Sequence, residues 1–306
     1  MSERPILVTG ANGRLGRALC RRLAEDSPAR RVRALVRSER AARALDALPE
    51  RARPEVAIAD YTEDSIAAQA AGCDAAVHLV GILKETRANR YADAHERPCA
   101  ALAAAADRCG LRRIVALSIL GADPDSHNPC FASRARADAI LLRAKTPAAV
   151  IRVPMVLGAG DPASAALARQ ARGPRARLVR GGASLEQPIA ARDVVAALAA
   201  ALERPGLDDA VLELAGPESL SHRALVERAA AVLGTRVAIT SVPAALARAA
   251  AWIAERTSAD PPITRAMLGV LEHDDAIDPE PARAKLGIEL TPLDAALREA
   301  LAGEAR

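Results

Sequence analysis

The chain has 306 residues, enough for one large domain or for a nucleotide-binding domain with a smaller lobe. It is 51% hydrophobic, yet its aromatic side chains are only Tyr61, Tyr91, Phe131 and Trp252. The core is therefore expected to be Ala, Leu, Val and Ile, and a base-stacking nucleic-acid platform is excluded. The net charge of +4 rests on arginine spread along the chain, with Lys84, Lys145 and Lys285 the only lysines, and it implies no nucleic-acid partner.

The five cysteines (Cys20, Cys73, Cys99, Cys109 and Cys130) are odd in number and widely spaced. No CxxC pair occurs, so neither a zinc site nor a disulfide framework is expected, and reduced thiols in a cytoplasmic protein are the plain reading. No signal peptide is expected, because the first strand starts at Pro5. The apolar run Ala244–Ala254 is interrupted by Arg248 and is too short to span a bilayer.

In chain order, Ile6–Thr9 reads as a strand ending at glycines, and Leu15–Glu25 as a helix. Strands are predicted at Val32–Val36 and Val56–Ala59, then a short helix Ser65–Ala71 stopped by Gly72. A fourth strand, Ala75–Leu79, precedes a long helix Tyr91–Cys109 that ends at Gly110 and is open to kinking at Pro98. Strand Ile114–Ser118, helix Ala132–Lys145 and strand Ala149–Val153 follow. Strands alternating with helices require parallel strands and crossovers, hence an α/β doubly wound parallel Rossmann sheet.

Beyond Pro154 the pattern loosens. Gly158–Gly182 reads as loop around a short helix, and its arginines (Arg169, Arg172, Arg175, Arg177 and Arg180) as a solvated flexible stretch open to an acidic partner, an anionic lipid surface or a phosphorylated substrate. Helices are expected at Asp193–Leu202, Ser221–Leu233, Ala244–Arg256, Thr264–Leu271 and Leu293–Leu301, and strands at Val211–Leu214 and Val237–Ser241. The expected division is a Rossmann core over 1–155 and a smaller C-terminal α/β lobe over 156–306, with part of the chain returning to the core. Trp252 is expected to pack the lobe, the alternative being a contact surface, and Asp193 to cap a helix.

The run Thr9-Gly10-Ala11-Asn12-Gly13-Arg14-Leu15-Gly16 joins the first strand to the first helix. Gly10 permits the turn, Gly13 lets backbone approach a pyrophosphate, and Gly16 lets the helix pack on the sheet. Free amides and the helix dipole then face the anion. At the end of strand two stand Arg37 and Ser38, where a site built for NAD(H) has an acid to accept the ribose 2′-hydroxyl. An arginine pairs instead with a 2′-phosphate, and Arg14 adds charge, so NADP(H) is favoured and NAD(H) remains possible. Asp60, ending strand three, is placed to accept from the adenine amine or else to serve as a turn residue, with Tyr61 offering a ring edge.

With these features in place, the chain resembles the short-chain dehydrogenase/reductase superfamily. More narrowly, it resembles the atypical extended, NAD-dependent epimerase/dehydratase-like members akin to the NADPH-binding accessory subunit of mitochondrial complex I. The matching phrases are Thr-Gly-Ala-Asn-Gly-Arg-Leu-Gly at 9–16, His-Leu-Val-Gly-Ile-Leu at 78–83 and Ser-Ile-Leu-Gly-Ala-Asp at 118–123. They continue with Arg-Val-Pro-Met-Val-Leu-Gly-Ala-Gly-Asp at 152–161, Gln-Pro-Ile-Ala-Ala-Arg-Asp-Val at 187–194 and Glu-Leu-Ala-Gly-Pro-Glu at 213–218. The resemblance implies that Leu79, Val80 and Gly81 pass beside the adenine ribose. It also implies that Ser118 holds the place of the catalytic serine and that Val153, Pro154 and Met155 lie near the nicotinamide.

Active members carry a Tyr-x-x-x-Lys pair whose tyrosine handles the proton that accompanies hydride transfer. Here Cys130 and Arg134 occupy those positions. A thiol is shorter than a phenol, and arginine does not deprotonate, although it still donates to ribose hydroxyls or phosphate. Neither tyrosine is expected to substitute, since Tyr61 and Tyr91 precede the fifth strand. His78 and His95 are read as packing residues rather than metal ligands. The expectation is a dinucleotide-binding protein with a degenerate acid/base site, tied to a respiratory or quinone-linked complex at the inner membrane face. The alternative is an NADPH-dependent oxidoreductase acting on a quinone or similar acceptor.

Overall fold

A computed structural model describes residues 4–302. The first half runs β1 (Ile6–Thr9), α1 (Arg14–Asp26), β2 (Val32–Val36), α2 (Glu39–Arg43), β3 (Glu55–Ile58), α3 (Glu63–Ala70) and β4 (Ala75–His78). It continues through α4 (Arg97–Cys109), β5 (Ile114–Ile119), α5 (Pro129–Leu142) and β6 (Ala148–Val153). The second half runs β7 (Val156–Leu157), α6 (Pro162–Arg172), β8 (Arg175–Val179), β9 (Leu185–Glu186), β10 (Ile189–Ala190), α7 (Ala191–Glu203) and β11 (Ala210–Glu213). It ends with β12 (Leu220–Ser221), α8 (His222–Val232), β13 (Ala238–Val242), α9 (Ala244–Thr257), α10 (Arg265–Leu271), α11 (Glu280–Leu286) and α12 (Leu293–Ala302).

Seven parallel strands form the central sheet in the order β11-β6-β5-β4-β1-β2-β3. The order reverses between β1 and β4, so a crevice opens beyond their carboxyl ends, where ligands of doubly wound sheets bind. Helix α1 turns Leu19, Cys20 and Leu23 to one face of the sheet, beside Val194 and Leu198 of α7. Ile66 of α3, Leu102 of α4 and Leu141 of α5 cover the other face. Each such leucine contributes about 1.5–3 kcal/mol by leaving water. The strands are apolar on both sides because both sides are covered. Strand β11 pairs with β6, Val211 opposite Val150, so chain beyond residue 155 completes the sheet.

The remaining elements gather around a separate apolar cluster of Leu167, Leu178, Leu225 and Leu297, with β8 and β13 paired in parallel. Here the structure corrects the loop expected over 158–182. Asp161 caps α6 through the Ala163 amide, Pro162 opens it, and Gly173 ends it. In β8, Ala176 and Leu178 face inward while Arg175 and Arg177 face out. The arginines of that stretch therefore sit largely on regular elements.

Three further differences have physical reasons. The long helix expected at Tyr91–Cys109 opens with a π-helical turn, Ala92–Glu96, just ahead of Pro98. The proline has no N–H to continue the ladder, and the bulge takes up the mismatch. Trp252 is 43% exposed with the Arg256 guanidinium 3.8 Å above its ring, so it does not pack the lobe. Asp193 does not cap α7; its buried carboxylate accepts from the Thr291 amide (2.7 Å) and hydroxyl (2.8 Å), tying α7 to the chain before α12.

Candidate dinucleotide-binding site

The crevice at the β1/β4 reversal has a volume of about 490 Å³. Its floor is backbone. Gly10 has φ +74°, and a Cβ there would lie 3.1 Å from the Leu79 carbonyl carbon, so only glycine lets the loop pass the end of β4. A Cβ on Gly16 would fall 2.6 Å from Ala11 Cα and from the Gly10 oxygen. The glycine is what allows α1 to start against the turn. Gly13 caps α1 with no side chain in the way, leaving the first helical amides free to face an anion.

One end of the crevice is cationic. Arg37, Ser38, Arg40 and Tyr61 line it with Asn12 and Gly13. The Arg37 guanidinium lies 5.7 Å from the centre of the Tyr61 ring, and the Tyr61 hydroxyl donates to the Leu35 carbonyl (3.3 Å). Ser38 accepts from the Ala41 amide and starts α2. Arg40, the second residue of α2, is a site residue the sequence does not announce, because no periodicity marks so short a helix.

Three of the sequence candidates, Arg14, Leu15 and Asp60, face elsewhere. Arg14 donates to the Ala159 carbonyl (2.9 Å) and, with Leu15, lines a groove on the far side of α1. Asp60 accepts from the Thr62 hydroxyl (3.0 Å) and the Ser65 hydroxyl (2.5 Å). The Ser65 and Thr62 hydrogen bonds hold its carboxyl below the ordinary range, and it acts as the turn residue before α3.

At the other end, Leu79, Val80 and Gly81 leave β4 along the crevice, whereas Val153, Pro154 and Met155 leave β6, two strands away in the sheet, and are not among the residues lining it. His78 Nδ1 lies 2.8 Å from the Thr9 hydroxyl, binding β4 to β1. His95, in the π-helical turn, accepts from the Ile82 amide (3.1 Å) and holds that strand exit in place. Burial, reinforced by the Arg134 charge, pushes both imidazoles down to about 3, so they are neutral at physiological pH.

Cys130 and Arg134 lie one turn apart on α5. Burial pushes the Cys130 thiol up, against the opposing pull of Arg134, and its sulfur is 4.0 Å from the Ile82 carbonyl. It is a protonated, 1% exposed thiol and a poor base. Arg134 donates to the Val80 carbonyl (3.3 Å), and its buried Nε has no partner among the described residues. A Cβ on Gly81 would overlap the guanidinium. Burial lowers the Arg134 affinity for its proton, and the guanidinium still has donors to give to ribose hydroxyls. Ser118, at the end of β5, is buried against Asp138, whose carboxyl pairs with Arg152 (2.9 Å). Burial holds Asp138 above the ordinary carboxylate range.

The structure overturns the expectation that no tyrosine reaches this region. The segment after β4 folds back so that the Tyr91 hydroxyl stands beside the Cys130 thiol and donates to the Leu83 carbonyl (2.9 Å). Burial pushes its phenol above the ordinary range, so it is a protonated acid. Chain order before the fifth strand concealed this, because the turn stabilised by Glu85 on the Tyr91 amide (2.7 Å) reverses the chain.

The cradle of glycines, the free helix amides and the cationic end together fit a dinucleotide diphosphate. Comparison with known proteins agrees. The family model described as NAD(P)H-binding matches residues 10–205, and the chain belongs to that family. Its cofactor is accordingly a nicotinamide dinucleotide. The chain is 31% identical over 171 residues to NADH dehydrogenase [ubiquinone] 1 alpha subcomplex subunit 9, mitochondrial, of Arabidopsis thaliana, covering 54% of this chain and 42% of that protein. The chain thus spans less than half the length of that relative. It is 28% identical over 240 residues to a ceramide reductase of Caulobacter vibrioides, covering 78% of this chain and 73% of that one.

Among solved structures, MoeE5 in complex with UDP-glucuronic acid and NAD matches with a TM-score of 0.75 at 20% identity, over 98% of both chains. UDP-N-acetylglucosamine 4-epimerase from Bacillus cereus matches at 0.72 and 16%, over 98% of this chain and 99% of that one. These two show the fold.

Proposed function

We propose that the protein holds NADP(H) as a bound ligand with little ordinary reductase turnover, in a complex of the respiratory or quinone-metabolising kind at the inner face of a membrane. The observation that carries this is Cys130: a buried neutral thiol stands where the reaction needs a proton donor of phenol length. Arg37 and Arg40, with no acidic side chain among the described residues lining that crevice, favour the 2′-phosphate of NADP(H). Thr9, Gly10, Asn12, Gly13 and Gly16 would hold the diphosphate, Leu79–Gly81 the adenosine side, and Arg134 the nicotinamide ribose. The likeness to the complex I subunit supports a complex as partner, and no helix among the described residues is long and apolar enough to cross a membrane. Bound NADPH supplies a hydride; the chain's own groups decide whether a proton can follow. Stopped-flow mixing of the NADPH-loaded protein with ketones and quinones tests this reading. Inert bound NADPH is expected, and steady turnover contradicts it.

Tyr91 favours a second reading, a reductase that takes its proton from an unusual place. Its phenol lies next to Cys130 and borders a cavity of about 750 Å³ between α5, α9 and α10. The ceramide reductase relative gives that reading a precedent. If turnover is found, Tyr91→Phe should lower kcat about 100-fold with KM little changed.

A further inference from the structure

Helix α9 stands almost wholly outside the packed lobe. Of its fourteen residues only Ala251 is buried, while Leu246, Ile253 and Trp252 are 62%, 53% and 43% exposed. At about 100° per residue, Leu246, Ala249 and Ile253 point away from Ala251, so the outward face of this helix is the apolar one. Trp252 and Arg256 flank that face. The one acid of the helix, Glu255, is held by Arg265 (2.9 Å). An apolar patch of this kind marks a surface that meets something other than water. Cations adjoin it. Strand β13 leads into α9 through Pro243, and its Val242 carbonyl accepts from the Arg180 amide (2.9 Å). Arg175 and Arg177 of the paired strand β8 face outward, and with Arg169 of α6 they line a groove that has no acid among its described lining residues. Neither β8 nor β13 contains an acidic residue. On the other side, Arg248 of α9 reaches Glu272 (3.2 Å), beside the exposed Leu271.

We propose that this face of the lobe binds the surface of an anionic lipid bilayer. Helix α9 lies in the interface plane, Leu246, Trp252 and Ile253 enter the acyl boundary, and Arg175, Arg177, Arg180 and Arg256 meet lipid phosphates. A helix with leucine, isoleucine and tryptophan outermost and arginine beside them matches that boundary, apolar on one side and negatively charged on the other. The charge complementarity is one-sided, since the cations of β8 have no acid within their own strand pair and a phosphate surface supplies what is missing. A second copy of the chain fits worse, because a two-fold contact through α9 would bring two sets of arginines together. The inference deepens the membrane-face part of the proposed function, rests on that reading for the location alone, and draws nothing from the dinucleotide crevice.

The test uses the full chain and vesicles of phosphatidylcholine, alone or with about one third phosphatidylglycerol. Flotation should show binding to the mixed vesicles and little to phosphatidylcholine alone, falling about tenfold as salt rises from about 0.1 to 0.5 M. Trp252 is the only tryptophan, so its emission reports the contact. On mixed vesicles, without NADPH, it should shift to the blue and lose its quenching by acrylamide. Leu246→Ser with Ile253→Ser should weaken vesicle binding about 100-fold. The melting temperature should not change, since both side chains are exposed. Arg175→Ala and Arg177→Ala should each cost about fivefold. Equal binding to both kinds of vesicle, a Trp252 emission that vesicles leave unchanged, or undiminished binding by the double serine variant overturns the proposal. So does a lipid-free dimer that shields Trp252 from acrylamide. A chain that binds NADPH but not vesicles loses only this surface, and one that binds vesicles but not NADPH loses only the dinucleotide reading.

Discussion

The two ends of one crevice are built from different materials. At the β1/β4 reversal the surface is backbone, and each glycine is fixed by a positive φ or by a neighbour within contact distance. At the Cys130 end the work would fall to side chains, and in the proposed reading Cys130 and Arg134 stand in place of a tyrosine and a lysine on an intact α5. Backbone recognition fails sharply when a Cβ is added. Side-chain chemistry is easier to change without loss of the fold, because a different side chain can pack on the same helix position.

The largest expected effect of a single substitution breaks the backbone end. Gly16→Ala places a Cβ 2.6 Å from Ala11 Cα and should cost about 3 kcal/mol as well as NADPH binding, read by denaturant unfolding and calorimetry. Unchanged stability would mean that α1 is not held to the turn as described.

Next comes acid sensitivity. His78 and His95 protonate near 6.5 in the unfolded chain but only at about 3 when folded. Between those values the unfolded state binds the extra protons, so stability is complete above pH 6.5 and falls as the pH drops toward 3. The slope should be about 1.4 kcal/mol per pH unit for each histidine. Urea unfolding from pH 7 to 4 should show it, and His78→Asn should reduce the slope by about half.

A smaller effect tests the cationic end. Arg37→Ala should weaken NADPH about tenfold and leave NADH nearly unchanged, because a charge-assisted pair with phosphate contributes about 1.5–3 kcal/mol. Arg40→Ala should do the same to a lesser degree. Equal losses for both cofactors would remove the 2′-phosphate role. The smallest expected gain sharpens the other end: Cys130→Tyr with Arg134→Lys should give slow but measurable reduction of model ketones. Its absence would show that more than two side chains separate this site from an active one.

The phosphate loop and the central sheet could be read from the sequence because both depend on local rules, glycine spacing and apolar strands bounded by turns. Strand β8 is equally local, with Ala176 and Leu178 alternating with arginines, but the surrounding Gly and Pro read as loop although they mark the boundaries of α6. Arg14 and Asp60 could not be placed from sequence, since each carries the right charge and turns to a nearer partner, the Ala159 carbonyl and the Ser65 hydroxyl. Tyr91 was hidden for a different reason. Its approach to Cys130 spans 39 positions and depends on the fold-back after β4, a tertiary fact with no periodicity to announce it.

The most direct measurement is calorimetric titration of the wild-type chain with NADPH, paired with a thermal melt. One site per chain, with a melting temperature that rises as NADPH is added, is the result this structure requires. No heat and no shift at millimolar dinucleotide would mean that the amides of α1 do not receive a diphosphate.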